Sequence, residues 1–476
     1  MIESASRIAA QLVHRSAELK ERLWRNTVLR LCIYCLLYCL LGVWALLADP
    51  FTLSTASDRA LSHEYHNLHV RLSGVDEPPV TVLLLDAESI QGLHNNGQGW
   101  MSSNDWPLDY NDHKRLITDL TVGLKDPPAA LFYDIFFEAP RAASGDLTRL
   151  GRTIDRIHTS DKGVPIVLAG GGVTMPMTEE ALSQFGEPVL SPIAWEGYGD
   201  FYPLAAALNK ESSNSDVQAL PKRIPTPAVS LYENWCSASP RACDWLNPAT
   251  APPMAVHWSV KESQSCIPAD YGHRAWVIMQ RVFNGIMQGM FGQEKPTHLS
   301  PEDCLPMHVV YAAQFYADAA PSTLRPPGLP SDIPYVVMVG VKMPSMHDYV
   351  QTPVYDRLPG VFLHAFAFEN LWRLDAGYYW LKDLTYYGLL AWCLCVIYFM
   401  WQAKQFNKHG RTSRRMYHVL FWWLVIGLSV VVLQVVFHSW MRIVPEGWLS
   451  LVALLPLLRE VVLRLEADRM QQGEIE

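Results

Sequence analysis

Val80-Thr81-Val82-Leu83-Leu84-Leu85-Asp86 is apolar at almost every consecutive position and ends in an acid. A strand with one wet face alternates apolar and polar residues; a run apolar on both faces is the mark of a parallel strand covered on each side by helices. Working outward, Asn111 opens a segment whose Leu116, Ile117, Leu120 and Leu124 share a helical face, and Pro127-Pro128 stop it. Ala129-Ala130-Leu131-Phe132-Tyr133 repeats the buried-strand pattern and again ends in an acid, Asp134. A helix over 146–158, a third strand over 165–169 and a Gly170-Gly171-Gly172 turn follow. This β-α alternation predicts a layered α/β domain with a largely parallel sheet. Residues 175–330 are rich in Pro and short polar runs, and predict a strand over 254–259, helices over 271–291 and 307–318, and loops elsewhere. Tyr335 to Val341 reads as the last buried strand, and Pro359 to Leu374 as a helix with Val361, Ala365, Phe368 and Trp372 on one face.

The chain has 476 residues, and its apolar residues crowd toward the two ends. Leu31 to Ala48, Leu384 to Trp401 and Tyr417 to Phe437 carry no charge, and each is long enough on this count to cross a hydrocarbon core of about 30 Å. Gly447 to Leu458 is shorter and spans only if 445–465 is used. The reading is a cytoplasmic amphipathic helix over 1–28, a transmembrane helix over 29–48, an extracytoplasmic domain over 49–382, a three-helix membrane cluster over 383–465 and a short tail over 466–476. In the first segment Ile8, Leu12, Leu19 and Leu23 recur at near-helical spacing, as suits a helix lying on lipid or gripping a partner. Arg7, Arg15, Lys20, Arg22, Arg25 and Arg30 before the first run, and Lys404, Lys408, Arg411, Arg414 and Arg415 after the second, place both flanks in the cytoplasm. The domain between them would then face the periplasm of a bacterial inner membrane. It carries 37 Asp and Glu against 23 Lys and Arg, which argues against nucleic acid as a partner.

Cys236, Cys243, Cys266 and Cys304 fall in that middle region, and four thiols in an oxidising compartment suggest two disulfides. Local pairing, Cys236 with Cys243 and Cys266 with Cys304, is preferred over the two other connectivities. None of the four is spaced Cys-x-x-Cys, which disfavours zinc.

Two blocks of residues resemble a known family. The first is Asp86, Trp106-Pro107, His113, Asp134-Ile135-Phe136-Phe137 and Asp146; the second is Val339-Gly340, Asp348, Thr352-Pro353, Pro359-Gly360-Val361 and His364-Ala365. In order and spacing they are similar to the type-two CHASE domain, an extracellular sensory module joined to bacterial cyclases and kinases. The resemblance covers about 58–375 and implies reception of a signal rather than catalysis, with a homo-oligomer as the working form. Only a short segment follows Leu465, too short for a kinase or cyclase, so any output is expected from a separate protein.

Asp86, His113, Asp134, Asp348 and His364 are the expected ligand-binding residues, because ligands of open α/β sheets gather at the carboxyl ends of the strands. Their structural alternative is capping of turns and satisfaction of buried backbone groups. Trp106, Pro107, Asp146, Thr352, Pro353, Pro359 and Gly360 read as architecture. His63, Glu64, His66 and His69 miss the His-Glu-x-x-His spacing of a zinc helix, so no metal and no cofactor are expected. The triple glycine reads as a flexible turn rather than a phosphate cradle, because Met175-Pro176-Met177 follows instead of a helix. No Gly-x-Ser-x-Gly elbow places a nucleophile, and no enzymatic activity is expected. The two functions left open are a sensory or regulatory subunit and a structural scaffold of a larger envelope or secretion complex.

Overall fold

The computed structural model describes residues 27–48, 65–66, 69–70, 74–95, 100–160, 163–185, 189–196, 201–208, 223–243, 247–263, 266, 303–317, 323–343, 348–407 and 415–446. The chain divides into two compact units, one formed by 63–381 and the other by both ends of the chain.

The central unit is an α/β layer structure. Its six-stranded sheet contains β1 (Val80–Asp86), β2 (Ala130–Tyr133), β3 (Ile166–Ala169), β4 (Leu190–Ser191), β7 (His308–Tyr311) and β8 (Val336–Lys342), in the order β4-β3-β2-β8-β1-β7. Every pairing in it is parallel. Two antiparallel pairs flank it: β5 (Ala205–Ala207) with β6 (Arg223–Pro225), and β9 (Tyr349–Thr352) with β10 (Asp356–Pro359).

The alternation of side chains across the sheet builds two cores. Val80, Val82, Leu84, Phe132 and Met338 pack with α4 (Pro227–Ala238) and α5 (Val361–Leu374). Leu83, Leu85, Tyr133, Val337 and Val339 pack on the other face. There they meet α1 (Ala87–Asn95), α2 (Tyr110–Asp119) and α3 (Leu147–Thr159). Burial on both faces explains why these strands read as continuous apolar runs. Phe362, Phe366 and Phe368 of α5 are completely buried, and each stabilises the fold by roughly 1.5–3 kcal/mol relative to exposure.

Two sequence expectations are corrected within this unit. Residues 307–318 were expected as one helix, but His308–Tyr311 is the edge strand β7 and only Ala312–Phe315 is helical. A β-branched run beside a parallel neighbour gains more from the ladder than from a helical turn. Residues 254–259 form no continuous strand: Met254 makes isolated antiparallel bridges to Tyr202 and Trp380, and beyond it side chains take the backbone donors of 257 and 258. The Trp258 N–H goes to His66 Nε2 (2.9 Å) and the His257 N–H to Asn370 Oδ1 (2.9 Å). The triple glycine leads into a turn, as expected, in which Gly172 and Met175 exchange backbone hydrogen bonds, and it is closely packed. Gly171 has φ +76°, and a Cβ on Gly172 would overlap the Ala194 carbonyl. The helix expected over 271–291 lies outside the described residues.

Cys236 is bonded to Cys243 and Cys266 to Cys304, the local pairing preferred from the sequence. Each closes a loop in the unfolded chain, a constraint of a kind that contributes about 2–4 kcal/mol.

In the terminal unit, helices run over Thr27–Ala48, Thr385–Asn407 and Arg415–Val435, and the last continues into a π-helical turn at Val436–Trp440. Trp392 Nε1 donates to the Tyr38 carbonyl at 3.0 Å, tying the first two together. Among the described residues, no helix is long and apolar enough to cross a membrane. This corrects the flanking transmembrane helices expected over 29–48, 384–401 and 417–437, and with them the inner-membrane placement and the periplasmic assignment of 49–382. The expectation rested on the length of uncharged runs, whereas spanning requires about 20 predominantly apolar residues placed in one helix, and Tyr and Trp recur in these runs. The amphipathic helix of 1–28 lies outside the described residues except for its last two. The segment 445–465 lies outside them beyond Glu446, and the tail 466–476 entirely.

Candidate functional site

The strand alternation separates the five residues expected to form one site. Phe132 and Tyr133 are neighbours on β2 and face opposite ways. Phe132 meets the His364 ring edge-on at 5.0 Å, whereas Tyr133 bonds His113 Nδ1 through its hydroxyl at 2.8 Å. His364 and His113 therefore sit in different cores. His113 is enclosed by Trp106, Tyr133 and Phe137. Burial, followed by the Arg141 charge, pushes its pKa down to about 3, so the ring is neutral. Asp86 ends β1 and accepts the Ser89 N–H at 2.7 Å, capping α1. Asp146 does the same for α3 through Thr148 N–H at 3.0 Å. Thr352 Oγ1 accepts the Tyr355 N–H in the β9–β10 turn. These positions are occupied by architecture.

Asp134 and Asp348 are different. Asp134 directly follows β2, fixed by its N–H to the Val339 carbonyl at 2.8 Å. Asp348 precedes β9, and its carbonyl accepts the Gly360 N–H at 3.0 Å at the start of α5. A side chain at Gly360 would overlap Asp348 Oδ1, so glycine here lets the carboxyl lie against the first turn of α5. Burial pushes the Asp134 carboxyl well above the usual carboxylate range, and the nearby charge of Asp348 pushes it further. Burial also raises Asp348. Two desolvated acids in mutual reach do not both ionise readily, so the pair retains a proton or attracts a positive group.

Beside this pair lies a relay that the sequence reading did not find. The Ala228 N–H donates to the Tyr202 hydroxyl at 3.0 Å, and that hydroxyl is hydrogen-bonded to His364 Nδ1 at 2.8 Å. Burial holds His364 down at about 3, so its ring is neutral. Asp134 is close enough to raise Tyr202 electrostatically, after the larger effect of burial. The site comprises Asp134, Asp348, Tyr202 and His364, with the start of α5 as its floor. Tyr202 and His364 are 162 residues apart, and nothing in the local pattern signals their meeting.

Two other polar knots are structural. Asp112 is fully buried and accepts from the N–H and hydroxyl of both Ser102 and Ser103, at 2.6–3.0 Å. Burial raises its carboxyl, and these four donors outweigh that, leaving its pKa below the ordinary value. Glu369 is also fully buried, beside Arg373 at 3.2 Å and Asn370 Nδ2 at 3.0 Å. Burial pushes it up to about 7 against the opposing Arg373 charge. Asn370 grips both the N–H and the carbonyl of His257, whose ring lies 4.6 Å from that of His66. His66 thus serves a backbone donor; His63 and Glu64 lie outside the described residues.

The Gly170 N–H is spent on the Ser191 carbonyl and the Gly172 N–H on the Met175 carbonyl, so neither is left to hold a phosphate.

No family model matches the chain, and no curated protein or solved structure matches it.

Proposed function

We propose that this chain is a sensory or regulatory protein whose α/β unit receives its signal at the Asp134–Asp348 carboxyl pair and passes it to a separate partner protein. The observation that carries this reading is the pair itself: two desolvated acids at the carboxyl end of a parallel sheet, one of them seated on the first turn of α5. A proton, a divalent cation or another positive group relieves their repulsion, and the relief is felt at the Gly360 backbone. A shift at the start of α5 moves a helix buried from Val361 to Leu371. The order of the motifs, similar to that of type-two CHASE domains, supports reception rather than catalysis, and a homo-oligomer is the form such receptors take.

Thermal unfolding of the full chain in calcium or magnesium chloride tests this. Wild type should be stabilised by several degrees, and Asp134→Asn and Asp348→Asn should each lose that response while remaining folded. Equal stabilisation of all three proteins would remove the pair as the receiving site.

A scaffold subunit is the second reading, favoured by a separate observation. The terminal helices expose Leu36, Leu37, Leu40, Trp44, Leu390, Leu394, Leu424 and Leu428. Exposed apolar groups in such number are the kind of surface that assembly covers.

A further inference from the structure

At the β3–β4 edge of the sheet, near the strands' amino ends, lies a cavity of about 330 Å³. Its polar lining comes from Ser230, Glu233 and Asn234 of α4 and from His158 in the last turn of α3; Ile166 and Leu190 contribute apolar wall. It lies at the opposite end of β3 from the strand termini that carry the carboxyl pair, and is a separate place.

Three observations fix the charge of what it takes. Glu233 is half-buried and makes no side-chain hydrogen bond or ion pair among the described residues, and burial pushes its carboxyl up, so its charged form is only partly compensated there. No Lys or Arg lines the cavity. His158 stands at the carboxyl end of α3, where the helix presents the negative end of its dipole. His158 itself uses Nδ1 to accept the Ile166 N–H at 3.1 Å. Glu233 and the end of α3 thus supply a negative side opposite an apolar one, in a cavity within the size range of small-ligand pockets.

We propose that this cavity binds a small organic cation, a primary ammonium on a short apolar body, with Glu233 as its counter-ion and the β3–β4 wall holding the alkyl part. Calorimetric titration of the full chain with n-butylammonium and phenethylammonium chlorides, with 1-butanol as the neutral control, reads this directly. Saturable binding of at least one ammonium, but not of the alcohol, is expected. Glu233→Gln should weaken it about tenfold to a hundredfold, the usual range for losing a charge-assisted hydrogen bond. Wild-type affinity should also fall as pH is lowered through protonation of Glu233, a measurement that needs no variant. Absence of saturable binding by both ammonium probes, binding unchanged in Glu233→Gln, or affinity independent of pH would each overturn the proposal.

Discussion

Replacing Asp112 by Ala is expected to destabilise the central unit by about 3 kcal/mol at neutral pH, since unsatisfied buried donors cost about 1–3 kcal/mol each and relaxation recovers part of the loss. The carboxylate receives four donors from Ser102 and Ser103, and without it two backbone N–H groups lose their acceptor. That clasp also shapes the segment carrying Trp106-Pro107, which packs against His113. The sign with pH follows from the direction of the shift. The folded pKa of Asp112 is lowered, so its contribution is present above the unfolded value of about 4 and disappears as pH falls through the folded value. Urea unfolding of wild type and variant should therefore diverge most at neutral pH and converge in acid. A difference below about 0.5 kcal/mol at neutral pH, the range of ordinary surface substitutions, would show that the clasp contributes nothing.

Gly171→Val is expected to cost about 4 kcal/mol, combining left-handed backbone strain in a β-branched residue with overpacking of a closed site. Gly171 has φ +76°, and its missing side chain would overlap the Met175 carbonyl and the Phe136 ring. Gly328 separates the two contributions. Its φ is +84° but a side chain there meets nothing within 4 Å, so Gly328→Ala should cost only about 1 kcal/mol, the backbone part alone. Equal losses at the two positions, read by urea midpoint at constant slope, would show that crowding at the triple glycine is negligible.

The strands that carry the central sheet were legible because parallel strands buried on both faces leave uninterrupted apolar runs, as at 80–86 and 336–342. Helix α3 was legible because Asp146 caps it. What failed did so for identifiable reasons. Met254, Val256 and Trp258 alternate like a strand, but pairing stops after Met254 and Ala255, where Asn370 and His66 claim the donors of 257 and 258. His308–Tyr311 is too short for its period to distinguish strand from helix. His113 and His364 looked like partners because order along a chain does not reveal which face of a sheet a residue reaches, and one step along β2 decides it. The Tyr202–His364 bond depends on long-range folding that no local pattern encodes. The membrane expectation weighed the length of charge-free runs, which says less than helix length and apolar composition together.

The carboxyl pair is the claim on which the function rests, and a double-mutant cycle followed against pH tests it most directly. Both folded pKa values are raised, so the stability these acids contribute is fully present below the unfolded value of about 4 and is lost as pH rises through the folded values. Asp134→Asn and Asp348→Asn should each raise unfolding free energy at neutral pH. The double variant should gain less than the summed gains, with a coupling of about 1 kcal/mol that vanishes in acid. Strictly additive gains at every pH, or destabilisation by both single variants at neutral pH, would contradict the account.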